Sequence, residues 1–242
     1  MIKIHRRVLT SLAILLVSSL LAGRVYAVPT LQLDIAGGSY DSGTETITTS
    51  SPSFSLYTYA TPGSVSLTDI LSDTYYLSIA LTPKIDFGAD LGSFIFNGTT
   101  IFATGDMTYG TPPIEGSSAL FDGGDLGSHS IFDTYFYEVA FTFNSTQTTG
   151  VYNTQDNAGS GLIYAGDDML YMDFDIDMSN LASDYDLHFD LYNTAVRSGS
   201  TDIDIDDFAP FSHDAATSVP EPSSLLLMGI ALLGIAIKSR QR

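Results

Sequence analysis

The sequence predicts an all-β protein: an antiparallel β-sandwich, jelly-roll-like, flanked by an N-terminal signal helix and a C-terminal transmembrane helix. Two observations carry the sandwich. From residue 28 to residue 218 the chain breaks into short runs of alternating, β-branched or aromatic residues, separated by Gly, Asn, Asp and Pro. Nothing in that stretch keeps a helical period for longer than a turn or two. A third observation carries the flanks: the continuous apolar segments lie at the two ends, Val8 to Ala22 and Leu225 to Ile237.

Lys3, Arg6 and Arg7 form a basic region ahead of the first apolar segment, and Val25-Tyr26-Ala27 offers small residues at the positions a signal peptidase reads. Residues 1–27 are therefore predicted to be a signal peptide, cut between Ala27 and Val28. The domain expected from 28 to 214 opens with Leu31 to Ile35, which alternates before Gly37-Gly38. Phe54 to Tyr59 and Tyr75 to Leu81 are the next runs. Ser93 to Phe96 and Thr100 to Ala103 flank Asn97-Gly98, the strongest hairpin signal in the chain. After a loop-rich stretch at 111–128 come Ile131 to Phe143, Gly161 to Ala165, Met169 to Asp177, Asp186 to Tyr192 and Asp202 to Ile205. Around ten strands at this spacing predict a sandwich, with a closed barrel as the alternative. Some 190 residues are enough to bury a full core. Residues 215–218 read as a short linker, and 219–242 as a separate C-terminal segment.

The charge is lopsided. Seven of the nine Lys and Arg lie in the two terminal segments, leaving Lys84 and Arg197 between them. Of 28 acidic residues only Glu221 lies outside that stretch, so 27 carboxylates face two cations and the domain carries about −25, against −19 for the whole chain. Repulsion excludes nucleic acid as a partner and makes cations the natural counter-partners. With no cysteine, neither disulfides nor thiol chemistry enter.

The densest carboxylate series are Asp173-x-Asp175-x-Asp177 and Asp202-x-Asp204-x-Asp206. At period two each lies on one face of a strand, and stacked carboxylates repel. A hard cation relieves that repulsion, so calcium is the candidate cofactor and these six residues its candidate ligands; a solvated strand face is the competing reading. His188 shares an alternating face with Asp186 and Asp190, and His213-Asp214 follows a Pro-containing loop; these could meet in space to hold a transition metal or move protons. No nucleophile elbow, phosphate loop or dinucleotide fingerprint is present. Fourteen Tyr and fourteen Phe with no Trp supply aromatic surface, and Tyr alternating on an open sheet face could stack on sugar rings.

The last residues read Val219-Pro220-Glu221-Pro222, then the apolar run Leu225 to Ile237, then Lys238, Arg240 and Arg242. Thirteen residues at a helical rise span roughly 20 Å, short of a bilayer core of roughly 30 Å, and a snorkelling Lys238 extends the reach. The basic end belongs in the cytoplasm and everything before Pro220 outside. This three-part order resembles the PEP-CTERM sorting signal of bacterial surface proteins, with Val219 to Pro222 as its motif. The resemblance implies an exosortase partner that removes the tail and a cell that makes extracellular polysaccharide. A second resemblance, to the bacterial family called choice-of-anchor N, rests on LQLDIAGGSYD from Leu31, YNTQD from Tyr152, HFDLYNT from His188 and FAPFSHDA from Phe208. It implies a surface protein and carries over no established activity.

The sequence thus predicts an exported protein, held transiently in the membrane by its C-terminal helix and then displayed at the surface or in the matrix. Its expected role is non-catalytic, binding polysaccharide or a partner protein. An extracellular hydrolase acting on matrix polysaccharide is the alternative, and the lack of any assembled catalytic constellation selects the first.

Overall fold

The computed structural model describes residues 30–62, 66–83, 85, 88, 90–110, 133–162, 165–196 and 203–218. In chain order the elements are β1 (Leu31–Ile35), β2 (Ser39–Asp41), β3 (Thr46–Thr49), β4 (Ser53–Ala60), α1 (Leu67–Ser72), β5 (Tyr75–Thr82), β6 (Ser93–Phe96), β7 (Thr99–Phe102) and β8 (Thr108–Gly110). They continue with β9 (Thr134–Phe141), β10 (Thr148–Thr149), β11 (Met169–Asp177), β12 (Asp186–Val196), β13 (Ile203–Phe208), a 3-10 turn (Phe211–His213) and β14 (Ala215–Thr217).

The strands form two sheets. The six-stranded sheet runs β1-β4-β11-β6-β7, with β10 on β11; the eight-stranded sheet runs β2-β3-β14-β12-β5-β9-β8, with β13 on β12. Alternation decides which face each strand buries. Leu31, Leu33, Ile35, Leu56, Phe94, Phe174 and Ile176 of the first sheet share one buried cluster with Ile47, Leu77, Ile79, Leu187, Phe189 and Leu191 of the second. Phe54 meets Phe189 edge-on across the two sheets at 6.0 Å, and Phe141 meets Phe174 at 5.3 Å. Each such ring contributes on the order of 2 kcal/mol by leaving water. The sandwich predicted from the sequence is therefore the fold.

Several expectations match residue for residue. β1 and β11 have the predicted limits. Asn97-Gly98 closes the β6–β7 hairpin with both residues at positive φ, 47° and 77°, the backbone of a type I′ turn. The single described helix is short, capped by Ser66 Oγ accepting from Asp69 N at 3.1 Å.

Three expectations are corrected. The sheets are not wholly antiparallel, because β14 runs parallel to β3. Residues 215–217 are not a linker: β14 lies inside the eight-stranded sheet, between β3 and β12. Two alanines and a threonine carry little strand signal of their own, and the place is set by partners about 170 and 28 residues away in sequence. In the predicted run Gly161 to Ala165, residues 161, 162 and 165 lie outside any strand. The predicted signal and transmembrane helices, with Ala27, Val28 and Val219 to Pro222, lie outside the described residues. Among those described, no helix is long and apolar enough to cross a membrane.

Candidate functional site

The carboxylates of β11 point outward, as the two-residue period requires. Asp173 and Asp175 are exposed and Asp177 half-buried, while Phe174 and Ile176 enter the core. Their cross-strand neighbours on β4 are neutral: Asp173 stands opposite Tyr57, Asp175 opposite Ser55 and Asp177 opposite Ser53. Asp175 and Asp177 each accept from a local donor. Ser55 Oγ donates to Asp175 Oδ1 at 3.2 Å, and Ser179 N to Asp177 Oδ1 at 2.9 Å; the Ser179 hydroxyl first and its N–H second hold Asp177 below its ordinary pKa. Asp202 lies outside the described residues, and Asp204 and Asp206 are described only as backbone of β13, where a register shift opposite Asn193 and Thr194 leaves Asp206 out of the ladder. The proposed calcium ligands of β11 are not brought together.

What the fold does bring together is a polar corner that sequence reasoning did not foresee. The segment 152–161 folds over the outer face of β1, so both faces of that strand are buried. Gln32 Oε1 accepts from Thr154 N at 2.9 Å while its Nε2 donates to Tyr152 O at 3.2 Å. Asp34 Oδ1 accepts from Gly159 N at 2.7 Å and Oδ2 from Gly161 N at 3.0 Å. Gln155 Nε2 donates to Tyr40 Oη at 2.9 Å. The signal available was the pair of polar residues in β1, Gln32 and Asp34, but nothing local announces what covers them.

Burial pushes Asp34 up to about 6, and the two glycine N–H groups limit the rise. Because the folded-state value lies above the ordinary 3.8, Asp34 favours the folded state at low pH, and that contribution disappears as pH rises. Between pH 4 and pH 7 the group is expected to subtract about 2 kcal/mol from stability. Urea unfolding of wild type and Asp34→Asn at both pH values checks this: the variant should show a flatter pH dependence. Parallel pH dependences would refute it.

Two histidines settle differently. His213 Nε2 lies 3.0 Å from Asn153 Oδ1, which also accepts from Gln155 N, so the imidazole proton sits on Nε2. Nδ1 then accepts from Ser212 Oγ at 2.8 Å. Burial lowers the pKa of His213 to about 4, so it is a neutral structural residue. His188 instead meets two carboxylates: its Nε2 lies 3.2 Å from Asp190 Oδ1 and 3.6 Å from Asp214 Oδ2. Burial pulls this imidazole down, but Asp190 and Asp214 more than offset it and hold its pKa above the ordinary value. Of the groups the sequence suggested could meet, β12 and the register of β14 bring His188, Asp190 and Asp214 together, while Asp186 accepts from Thr217 Oγ1 and His213 turns to Asn153.

The outer face of the six-stranded sheet carries two neighbouring accessible aromatics. Tyr57 and Tyr171 are both half-buried, with ring centroids 6.4 Å apart, and Tyr57 stacks on the buried Tyr59 at 6.1 Å. Beside them an open groove of about 330 Å³ is lined by Ser53, Ser55, Ile95, Gly98, Asp175 and Asp177.

Comparison with known proteins bears on the end of the chain. Residues 218–241 match the PEP-CTERM protein-sorting motif. The tail is a sorting signal. The motif marks the chain for export, C-terminal membrane anchoring and processing by exosortase, with the cell surface as destination. The match begins at Ser218, whose N–H donates to Thr49 O at 2.9 Å, so the signal starts where the sheet ends. No curated protein matches the chain. A solved structure, the 35 kDa C-terminal fragment of the major pilin GBS80 of Streptococcus agalactiae, aligns at 11% identity with a TM-score of 0.32, over 79% of this chain and 56% of that one. The chain thus spans little more than half of the pilin fragment.

Proposed function

We propose that this exported, exosortase-sorted chain is a non-catalytic surface or matrix module, and that the outer face of its six-stranded sheet meets extracellular polysaccharide. The observation that carries the reading is the half-buried pair Tyr57 and Tyr171 beside an open groove edged with hydroxyls and carboxylates. A sugar ring offers apolar C–H faces to a tyrosine and hydroxyls to Asp and Ser acceptors, and the surface supplies both. The non-catalytic reading draws support from the burial of His188, Asp190 and Asp214, which offers a polymer no path to those groups. Calcium, in this reading, belongs to the diffuse counter-ion atmosphere of a strongly acidic domain.

The double variant Tyr57→Ala/Tyr171→Ala is expected to lower binding to exopolysaccharide from the producing cells by about tenfold or more while leaving the fold intact. Affinity electrophoresis in gels containing that polysaccharide measures it. Unchanged retardation would remove polysaccharide from the reading and leave a partner protein as the ligand class.

A further inference from the structure

A second site lies on the outer face of the other sheet. Core residues Leu187, Phe189 and Leu191 point inward, so His188 and Asp190 point outward, yet both are buried, at 8% and 0% exposure. β14 pairs with β12 through His188–Ala216 and Phe189–Ala215, and continuing that register sets Asp214 opposite Asp190. Asp214 is 3% exposed. One donor atom from each of the three residues lies within 4.8 Å of the other two.

We propose that His188, Asp190 and Asp214 form a binding site for a divalent first-row transition-metal cation, with Zn²⁺ as the natural probe. The spacing fits the ion. Ligands about 2.0–2.2 Å from a tetrahedral Zn²⁺ stand about 3.3–3.6 Å from one another. His188 Nε2 already lies 3.2 Å and 3.6 Å from the two carboxylate oxygens. The donor set, one imidazole and two carboxylates, suits a borderline cation and differs from the all-oxygen shell that calcium prefers.

A separate observation points to the same spot. Ser78 is the cross-strand neighbour of Asp190 on β5, faces the same side, is fully buried, and its Oγ makes no hydrogen bond among the described residues. A buried hydroxyl without a partner is costly, and a water in the fourth coordination position would supply one. On binding, the cation replaces the proton at His188 Nε2, which leaves to solvent, and two carboxylate charges are matched by two positive ones. The site is structural in character. It joins β12 to the residue immediately before β14, and so ties the C-terminal strand into its sheet.

The test uses the full-length chain in detergent, stripped by chelator and dialysed. Titration with Zn²⁺ alone is expected to saturate at one ion per chain and to raise the melting temperature. Addition of Co²⁺ should give visible d–d absorption bands, which need no variant to fold. His188→Ala and Asp190→Asn should each weaken Zn²⁺ binding more than about 100-fold, beyond what loss of an outer-shell partner causes. The double variant Asp173→Asn/Asp175→Asn, on the opposite sheet, should bind Zn²⁺ as wild type does. Failure of the wild-type chain to bind Zn²⁺ and to develop Co²⁺ bands would overturn the proposal, as would equal binding by His188→Ala. The polysaccharide reading rests on the other sheet and is decided separately.

Discussion

A chain stopped after Asp214 is expected to fail to fold, whereas one stopped after Ser218 should fold and be released. The four residues between these ends contain β14, which is hydrogen-bonded on both sides. In strand order, β2 and β3 reach the rest of the eight-stranded sheet only through β14. Its loss would also remove Thr217 Oγ1, which accepts from Leu187 N at 2.8 Å and donates to Asp186 Oδ1 at 3.0 Å, and the Ser218 N–H bond to Thr49 O. At about 1 kcal/mol net for each hydrogen bond, with further cost from unsatisfied groups left in a sheet interior, the loss is on the order of 5 kcal/mol or more. That is comparable to the whole stability of an ordinary domain. Exported yield, protease resistance and a urea melt of the two truncations measure the difference. Equal melts would show that β14 is dispensable and that the earlier boundary at residue 214 was sound.

The second large effect is expected at Gly159. It sits at φ +79°, and an added Cβ would overlap the carbonyl oxygen of Gly38 and lie 2.9 Å from its nitrogen. The neighbouring N–H of Gly37 donates to Gly159 O at 2.9 Å, so two backbones cross here in direct contact. Nothing in that crossing is the far end of a flexible side chain, so Gly159→Ala must separate the segments and with them the Gly159 N–H to Asp34 bond. A loss of about 3 kcal/mol or more is expected. Gly37→Ala is the control: its φ is +73°, but nothing lies within 4 Å of the added atom, so only the conformational cost of about 1 kcal/mol remains. Chemical denaturation of both variants tests the contrast. Similar losses at the two positions would mean that conformation, and not the backbone crossing, requires Gly159.

These cases show what a single sequence exposes and what it hides. β1, β4, β5, β11 and β12 were legible because each carries enough alternation to mark its own inner face. β2, β3, β8, β10 and β14 have two to four residues each, too few for a period, and exist because partner strands complete them. The same division runs through the sites. His188 and Asp190 are two residues apart on one strand, so their shared face could be read directly. Asp214 joins them only through strand register, which no local pattern encodes. The β11 aspartates show the converse: a local pattern can be correct in face while its neighbours stay hidden, here the hydroxyls that β4 presents opposite them.

The place of β14 also has a mechanical meaning. With the tail held by the membrane, a pull directed along β14 would enter the sheet at Ser218, whose N–H is bonded to Thr49 O. β14 is bonded to β3 on one side and β12 on the other, so such a load shears both ladders at once instead of peeling them bond by bond. Such a load would be borne by an interior strand of the sheet and not by its rim.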